Sequence, residues 1–273
     1  MTAAGIPAAN TAARPTGGGR RLPLTWLGVA PYFLYVGLFL LLPTVILAVG
    51  AFTDKEGNPT LSNVTAIGQP YLFSSFVGSA IISIVSALVG AIAGALLAYA
   101  VATGNPRGTL RRVVTSAAGV FAQFGGVTLV FAFIATLGTV GLVTVFLKDH
   151  GIDIFANGVW LYDPRGLTLI YTYFQIPLMV LVFLPALDGI RPQWREATES
   201  LGGNTWQYWR YVAGPLLAPA FLGCTLLLFA NAFSAYATAA VLLTQGGVLV
   251  PLQIAPLFQC ETDQAQPGLA QAL

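Results

Sequence analysis

Charged side chains are scarce in this chain of 273 residues, where Lys, Arg, Asp and Glu together make up only 8%. Soluble globular proteins carry about 25% charged residues. The shortfall therefore excludes an ordinary soluble enzyme, a disordered regulator and a nucleic-acid-binding protein with a basic face. A net charge of +2 gives no bulk attraction to an acidic partner. One His and two Cys are too few for a multi-histidine metal site or a disulfide framework.

Long apolar runs dominate instead, because 56% of the residues are hydrophobic. A membrane helix needs roughly 20 mostly apolar residues to cross about 30 Å of hydrocarbon. The runs are continuously apolar rather than alternating, which disfavours a β-barrel. The sequence therefore predicts an all-α polytopic membrane domain over residues 23–273. Its five predicted spans are Leu24–Phe52, Phe76–Ala102, Val113–Leu137 with a short interfacial segment to Leu147, Leu167–Leu187 and Pro215–Leu243.

The few charges are sorted by sign between alternate loops. Nine of the 12 basic residues, with three acidic ones, precede span one or lie between spans two and three or four and five. The remaining loops hold three basic and seven acidic residues. By the positive-inside rule, the N-terminus is predicted to be cytoplasmic. Residues 1–22, rich in Ala, Gly, Thr and Pro, are predicted to form a disordered cytoplasmic tail.

The last residues of the sequence resemble the first turn of a further apolar helix. After a polar loop from Gln259 to Pro267, the last six residues, Gly268–Leu273, read like the first turn of another apolar helix. Five spans would leave the C-terminus outside without a basic anchor. A short natural end is the alternative, but we expect the sequence to stop before a sixth span.

The loop between spans four and five, residues 188–214, has the most distinctive pattern. Pro192 suits the first turn of a helix, because its missing N–H would have no partner there. Residues 193–201 then form a predicted amphipathic helix, which Gly202 and Gly203 end. Asn204 or Thr205 can cap a second short helix that carries Trp206, Tyr208, Trp209 and Tyr211. Aromatic side chains in this density are typical of a membrane–water interface, so the loop is predicted to expose two short helices for docking.

This loop resembles that of the inner-membrane permease subunits of ATP-binding-cassette importers. Their loop has the form E-A-A, three residues, G, nine residues, I-x-L-P. Here the spacing is kept by Glu196-Ala197-Thr198, Gly202 and Val212-Ala213-Gly214-Pro215, with Thr198, Val212 and Gly214 as departures. The amino-acid sequence around the loop is similar to that of permeases of the spermidine/putrescine type, which include thiamine, ferric-iron and phosphonate relatives. The resemblance covers about Trp26 to Leu273.

The resemblance implies a type I permease fold with five of an expected six spans. It also implies a prokaryotic inner-membrane location and a set of partners: an ATP-binding subunit dimer, a second permease subunit and an extracytoplasmic solute-binding protein. ATP hydrolysis would take place in the partner, so this chain is expected to be neither an enzyme nor a cofactor-binding protein. The residues implied in ATPase coupling are Arg195, Glu196, Ala197, Glu199 and Gly202.

None of the predicted spans contains Asp, Glu, Lys, Arg or His, which argues against proton- or sodium-coupled transport. Asn231, Ser234 and Thr238 share a face if span five is one helix. That stripe is either a wall of a translocation path or a set of hydrogen bonds between helices. The small residues of span two are predicted to serve helix packing. The predicted path residues are Gln123, Tyr173, Gln175, Asn231, Ser234 and Tyr236.

Two other interpretations remain beside a polyamine-type importer. One is a permease of the same class for phosphonate, ferric iron, thiamine or sugar. The other is a non-transporting membrane scaffold or channel, whose loop helix recruits some other protein. No nucleophile–base pair, metal-ligand cluster or phosphate-binding glycine loop stands out in the sequence, and no nucleic-acid partner is expected.

Overall fold

The computed structural model of the protein describes residues 25–53, 58–66, 68–105, 108–156, 158–243 and 249–259. The predicted N-terminal tail, residues 1–22, and the last six residues, where a sixth span was expected to begin, lie outside these ranges. Over the described ranges the regular structure is helical, apart from one isolated bridge between Thr53 and Pro59. The α-helices are α1 Thr25–Val36, α2 Leu42–Ala51, α3 Ser62–Ala66, α4 Pro70–Thr103, α5 Thr109–Gln123, α6 Gly126–Leu137, α7 Leu142–Asp149, α8 Pro164–Asp188, α9 Pro192–Ser200, α10 Thr205–Tyr208, α11 Gly214–Phe233, α12 Tyr236–Leu242 and α13 Val250–Gln259.

Among the described residues, five helical segments are long and apolar enough to cross a membrane, which confirms the predicted number and the all-α class. Their bounds differ from the predicted ones mainly in the third and fifth. The five segments are Val29–Ala51, Leu72–Thr103, Gly126–Asp149, Pro164–Asp188 and Thr205–Phe233.

The chain divides into two compact units between Val49 and Gly50. In the first unit a π turn, Gly37–Leu41, follows α1 and leads into α2. Pro43 lies just after this turn and cannot donate a backbone hydrogen bond, which is a common cause of such irregularity. The hydroxyl of Thr44 donates to the carbonyl of Leu40 at 2.6 Å. The first predicted span is therefore helical but irregular next to Pro43.

The second unit is organised around the long helix α4, which packs along α8. Two glycines of α4 permit the close approach. A Cβ added at Gly94 would lie 2.5 Å from Cβ of Met179, and one at Gly90 would lie 2.7 Å from Cβ of Gln175. These distances confirm that small residues in the second span serve packing. Helices α5 and α11 also pack against α8.

The prediction that the third span is one helix from Val113 to Leu137 was wrong. The structure divides it into α5 and α6, with Phe124 and Gly125 in non-helical conformations between them. Gly126, at φ +69°, allows the chain to resume as α6, because a left-handed backbone favours glycine. Helix α6 ends at Leu137, where the sequence predicts the span to end, and Gly138 and Gly141 separate it from α7. The segment long enough to cross a membrane nevertheless continues to Asp149.

The prediction that the fifth span continues as one helix to Leu243 was also wrong. Helix α11 ends at Phe233, and α12 begins only at Tyr236. Ala235 has a ψ of 85°, which is outside the helical range. Asn231, Ser234 and Thr238 therefore do not form a stripe along one helix, because Ser234 caps α11 and Thr238 is buried in α12.

Candidate coupling loop and translocation path

The first helix of the loop, α9, forms where the sequence predicts it. Pro192 occupies its first turn, and the guanidinium of Arg195 donates to the carboxylate of Glu199 at 3.0 Å, one helical turn further on. Such a pair supports an exposed helix by a few tenths of a kcal/mol. Glu196 and Ala197 are exposed on the same helix. Among the described residues, Glu196 has no ion-pair partner, so its carboxylate is available to another molecule.

The turn that ends α9 depends on two glycines for different reasons. Gly202 has a φ of +77° and open space where a Cβ would point, so its backbone conformation requires glycine. A Cβ at Gly203 would lie 2.7 Å from Cγ2 of Thr198, so at this position space requires glycine. The N–H of Gly203 donates to the carbonyl of Thr198 at 2.9 Å. The predicted end of the first loop helix at Gly202 and Gly203 is confirmed.

Asn204 begins the next helical segment with a reciprocal cap. Its Oδ1 accepts from the N–H of Gln207 at 2.9 Å, and its own N–H donates to Oε1 of Gln207 at 2.8 Å. The prediction of a separate second short helix was wrong. Helix α10 continues through a π turn, Trp209–Ala213, into α11, so the aromatic segment is the start of the fifth span.

An open apolar groove of about 600 Å³ lies between α9 and the beginning of α11. Leu201, 89% exposed, projects beside it. Exposed apolar surface of this kind usually marks a surface that a partner covers. The groove is lined by Trp194, Ala197, Thr198, Leu201, Tyr211, Val212, Pro215 and Leu216.

An ion pair connects the start of the loop to the third predicted span. The guanidinium of Arg111, near the beginning of α5, contacts the carboxylate of Asp188, the last residue of α8, at 2.5 Å. The hydrogen bond from Arg111 to Asp188 raises the pKa of the guanidinium above its ordinary value. The arginine therefore stays charged throughout the physiological pH range.

The predicted path residues lie mostly at the two helix breaks. Gln123 is the last residue of α5, while Asn231 and Ser234 lie at the end of α11 and Tyr236 begins α12. All four are exposed in the chain by itself. The breaks are neighbours, because a Cβ at Gly126 would lie 3.8 Å from Cβ of Ala237. The structure thus brings the two interruptions together.

A tyrosine from α8 stabilises the break in the fifth span. The hydroxyl of Tyr171 donates to the carbonyl of Ala235 at 2.7 Å, and the ring is buried. This side-chain hydrogen bond adds to the backbone bonds at the start of α12 and contributes about 1 kcal/mol to holding the break in place. The sequence shows Tyr171 as a polar residue of span four, but no glycine or proline at residues 234–235 indicates the break that it serves.

The two remaining predicted path residues have different surroundings. Tyr173 is 38% exposed, with its ring edge-on to Phe121 and Phe133. Gln175 is fully buried, and its Nε2 donates to Oγ of Ser86 at 3.0 Å. The amide of Gln175 therefore lies between α8 and α4 rather than on a surface of the chain. No cluster of three or more metal-ligand side chains occurs in the described part of the chain.

Two solved structures of bacterial ABC transporters share this arrangement of helices. The chain matches a crystal structure of a bacterial ABC transporter involved in the import of the acidic polysaccharide alginate. The TM-score is 0.68 at 19% identity, covering 91% of this chain and 87% of the other. A second structure, of the alginate transporter in complex with a periplasmic protein bound to alginate pentasaccharide, gives the same TM-score. The fold is therefore the type I ABC importer permease fold.

Sequence relatives are named as permease proteins of transport systems. A ferric transport system permease protein of Actinobacillus pleuropneumoniae is 28% identical over 224 residues, covering 77% of this chain and 30% of its own length. A thiamine transport system permease protein of Escherichia coli is 25% identical over 112 residues, or 40% of this chain and 20% of its own.

The sulfate transport system permease protein of Synechococcus elongatus is 26% identical and is matched over 77% of its length, with 87% of this chain covered. By contrast, the chain spans only a third or less of the ferric and thiamine proteins. No family model matches the sequence. These relatives and the five apolar helices support a multi-pass membrane protein of the permease class.

Proposed function

We propose that the chain is a permease subunit of an ATP-driven importer for a small solute. The observation that carries this proposal is the folded loop between the fourth and fifth spans. It presents Glu196 and Ala197 on an exposed helix and reverses at Gly202. The spacing of these residues is that of the importer loop, and the fold is that of importer permeases.

In this proposal α9 docks on an ATP-binding subunit and carries its movement into the spans. Ala197 permits close approach because its side chain is small. Glu196 offers a carboxylate to a basic residue of the partner. Arg195 and Glu199 hold the exposed face of α9 together through their ion pair. The sorting of charges between loops supports a cytoplasmic location for this loop and for the N-terminus, in a prokaryotic inner membrane.

The translocation path is proposed to pass the two adjoining helix breaks. Interrupted helices expose backbone polar groups at membrane depth, which transporters tolerate where those groups line a cavity. Gln123, Asn231, Ser234 and Tyr236 surround the breaks and are exposed in the single chain. Tyr173 lies on the same helix as Tyr171 and is partly exposed. The burial of Gln175 favours a packing role for that residue instead.

The partners proposed are an ATP-binding subunit dimer, a second permease subunit and an extracytoplasmic solute-binding protein. The alginate transporter structure that includes a periplasmic protein supports the last of these. The candidate substrates are several small solutes. The sequence around the loop favours a polyamine, whereas the relatives described above are named for ferric iron, thiamine and sulfate.

A test of docking uses the exposed acidic residue and the glycine of the loop. The tagged chain is purified from its native host in mild detergent, and the ATPase activity that accompanies it is measured. Glu196→Lys should abolish this activity because the new charge opposes a basic partner site. Gly202→Pro should do the same, because proline cannot adopt the φ of +77° found there.

The matched control is Asp163→Lys, which makes the same change of charge at an exposed residue before α8, in a loop predicted to be on the other side. It should leave the accompanying ATPase activity unchanged. The amount of each variant in the membrane fraction is measured in parallel. Full ATPase activity with both loop variants would contradict docking through α9 and would favour a scaffold or channel.

A further inference from the structure

The ion pair between Arg111 and Asp188 differs from the others in what it joins. Among the described residues the other two pairs are local, Arg195 with Glu199 and Lys148 with Asp153. Arg111 and Asp188 are 77 positions apart in sequence and connect two helices. Asp188 is also the last residue of α8 and the first residue of the loop 188–214. The pair therefore lies where any displacement of that loop enters the membrane segments.

Helix α5, which carries Arg111, is a separate rod of 15 residues. Its far end is Gln123, followed at once by the non-helical break and the left-handed Gly126. A change of backbone angles at such a break would reorient the whole rod, as hinges do in other proteins. A displacement applied at Arg111 would therefore reach the candidate path at Gln123.

The packing around α5 leaves room for such movement. An open apolar groove of about 380 Å³ lies between α5, α4 and α8, lined in part by Val113, Ala117, Leu97 and Ile176. Side chains along this groove have no atoms of the chain on their open side, so the chain by itself holds the helix less firmly there. At the outer end of the helix, the ring of Phe121 contacts that of Tyr173 on α8, with centroids 6.3 Å apart. The ion pair is the polar connection at the opposite end.

We propose that Arg111 and Asp188 are positioning residues, whose ion pair transmits displacement of the coupling loop to the broken third span. The inference rests on the proposed function. Both side chains are partly exposed, at 21% for Arg111 and 42% for Asp188. Exposed pairs contribute little to folding stability. A role in transmitting movement, rather than in holding the fold, therefore suits this pair.

The test measures movement at the break without requiring a known substrate. In a chain with Cys224→Ala and Cys260→Ala, Gln123→Cys provides one reactive thiol at the end of α5. The complex with its ATP-binding subunit is placed in proteoliposomes, and labelling by a maleimide is followed with and without ATP plus vanadate. The expected result is an ATP-dependent change in labelling rate in the otherwise unaltered chain.

Asp188→Asn or Arg111→Gln should abolish this change while ATP hydrolysis continues. The reversed pair, Arg111→Asp with Asp188→Arg, should restore it, and a purely structural role would not give that pattern. Lys148→Gln, which breaks a local pair instead, is the control and should leave the change intact.

The inference is overturned if both neutral variants keep the ATP-dependent change, if the reversed pair does not recover it, or if both neutral variants fail to accumulate in the membrane. The last outcome would make the pair a support of folding. Absence of any ATP effect in the unaltered chain would instead refute the proposed function itself.

Discussion

Individual glycines in this protein have distinct physical roles that composition alone does not reveal. Gly94 is required for space, because Met179 occupies the volume next to it. Gly119 lies in α5 with no atom within 4 Å of the position where a Cβ would be. Gly202 is required for its backbone conformation, although the space beside it is open. Substitution by alanine distinguishes these cases.

We expect Gly94→Ala to destabilise the protein by about 1–3 kcal/mol, because the new methyl group overpacks the contact between α4 and α8. Gly119→Ala, the same change in an open helical position, should be neutral or slightly stabilising. Thermal unfolding of both purified variants in detergent would measure the difference. Equal unfolding temperatures would show that α4 and α8 do not approach as closely as described.

At the scale of elements, the break between α11 and α12 depends on a hydroxyl from another helix. The buried Tyr171 donates to the carbonyl of Ala235, the residue that joins the end of α11 to the start of α12. The break and the tyrosine therefore form one structural unit, built from residues 64 positions apart in sequence.

Tyr171→Phe removes only this hydrogen bond and should cost about 0.5–1.5 kcal/mol, the net contribution of a typical buried hydrogen bond. We also expect faster hydrogen exchange at the amides of α12 than in the parent protein. Tyr99→Phe is the control, because Tyr99 is exposed and its ring contact with Trp209 is kept. The stabilising role of Tyr171 would be refuted if both substitutions had the same effect on α12.

At the scale of the whole molecule, the charged residues that the structure describes lie at the ends of the apolar helices or in the segments between them, α9 included. The three described ion pairs all lie there. A charged side chain deep in hydrocarbon costs several kcal/mol, so this distribution follows from the solvent around the chain. The excess of basic residues in alternate loops then predicts which loops face the cytoplasm.

This orientation is measurable with single cysteines in the chain with Cys224→Ala and Cys260→Ala. Ile152→Cys, at an exposed residue in a predicted outer loop, should react with an impermeant maleimide added to intact spheroplasts. Gln193→Cys, exposed on α9, should react only after the cells are opened. The reverse pattern would contradict the assignment from the charges.

The sequence by itself determined the number of spans, the class of fold and the first helix of the coupling loop with the turn that ends it. These features depend on neighbouring residues: apolar runs of sufficient length, Pro192 in a first turn, and Gly202 where φ is positive. Only the tertiary structure decided the break at residues 234–235, the burial of Gln175 and the pairing of Arg111 with Asp188. Each of these depends on a partner on a distant helix, whose position no local pattern specifies.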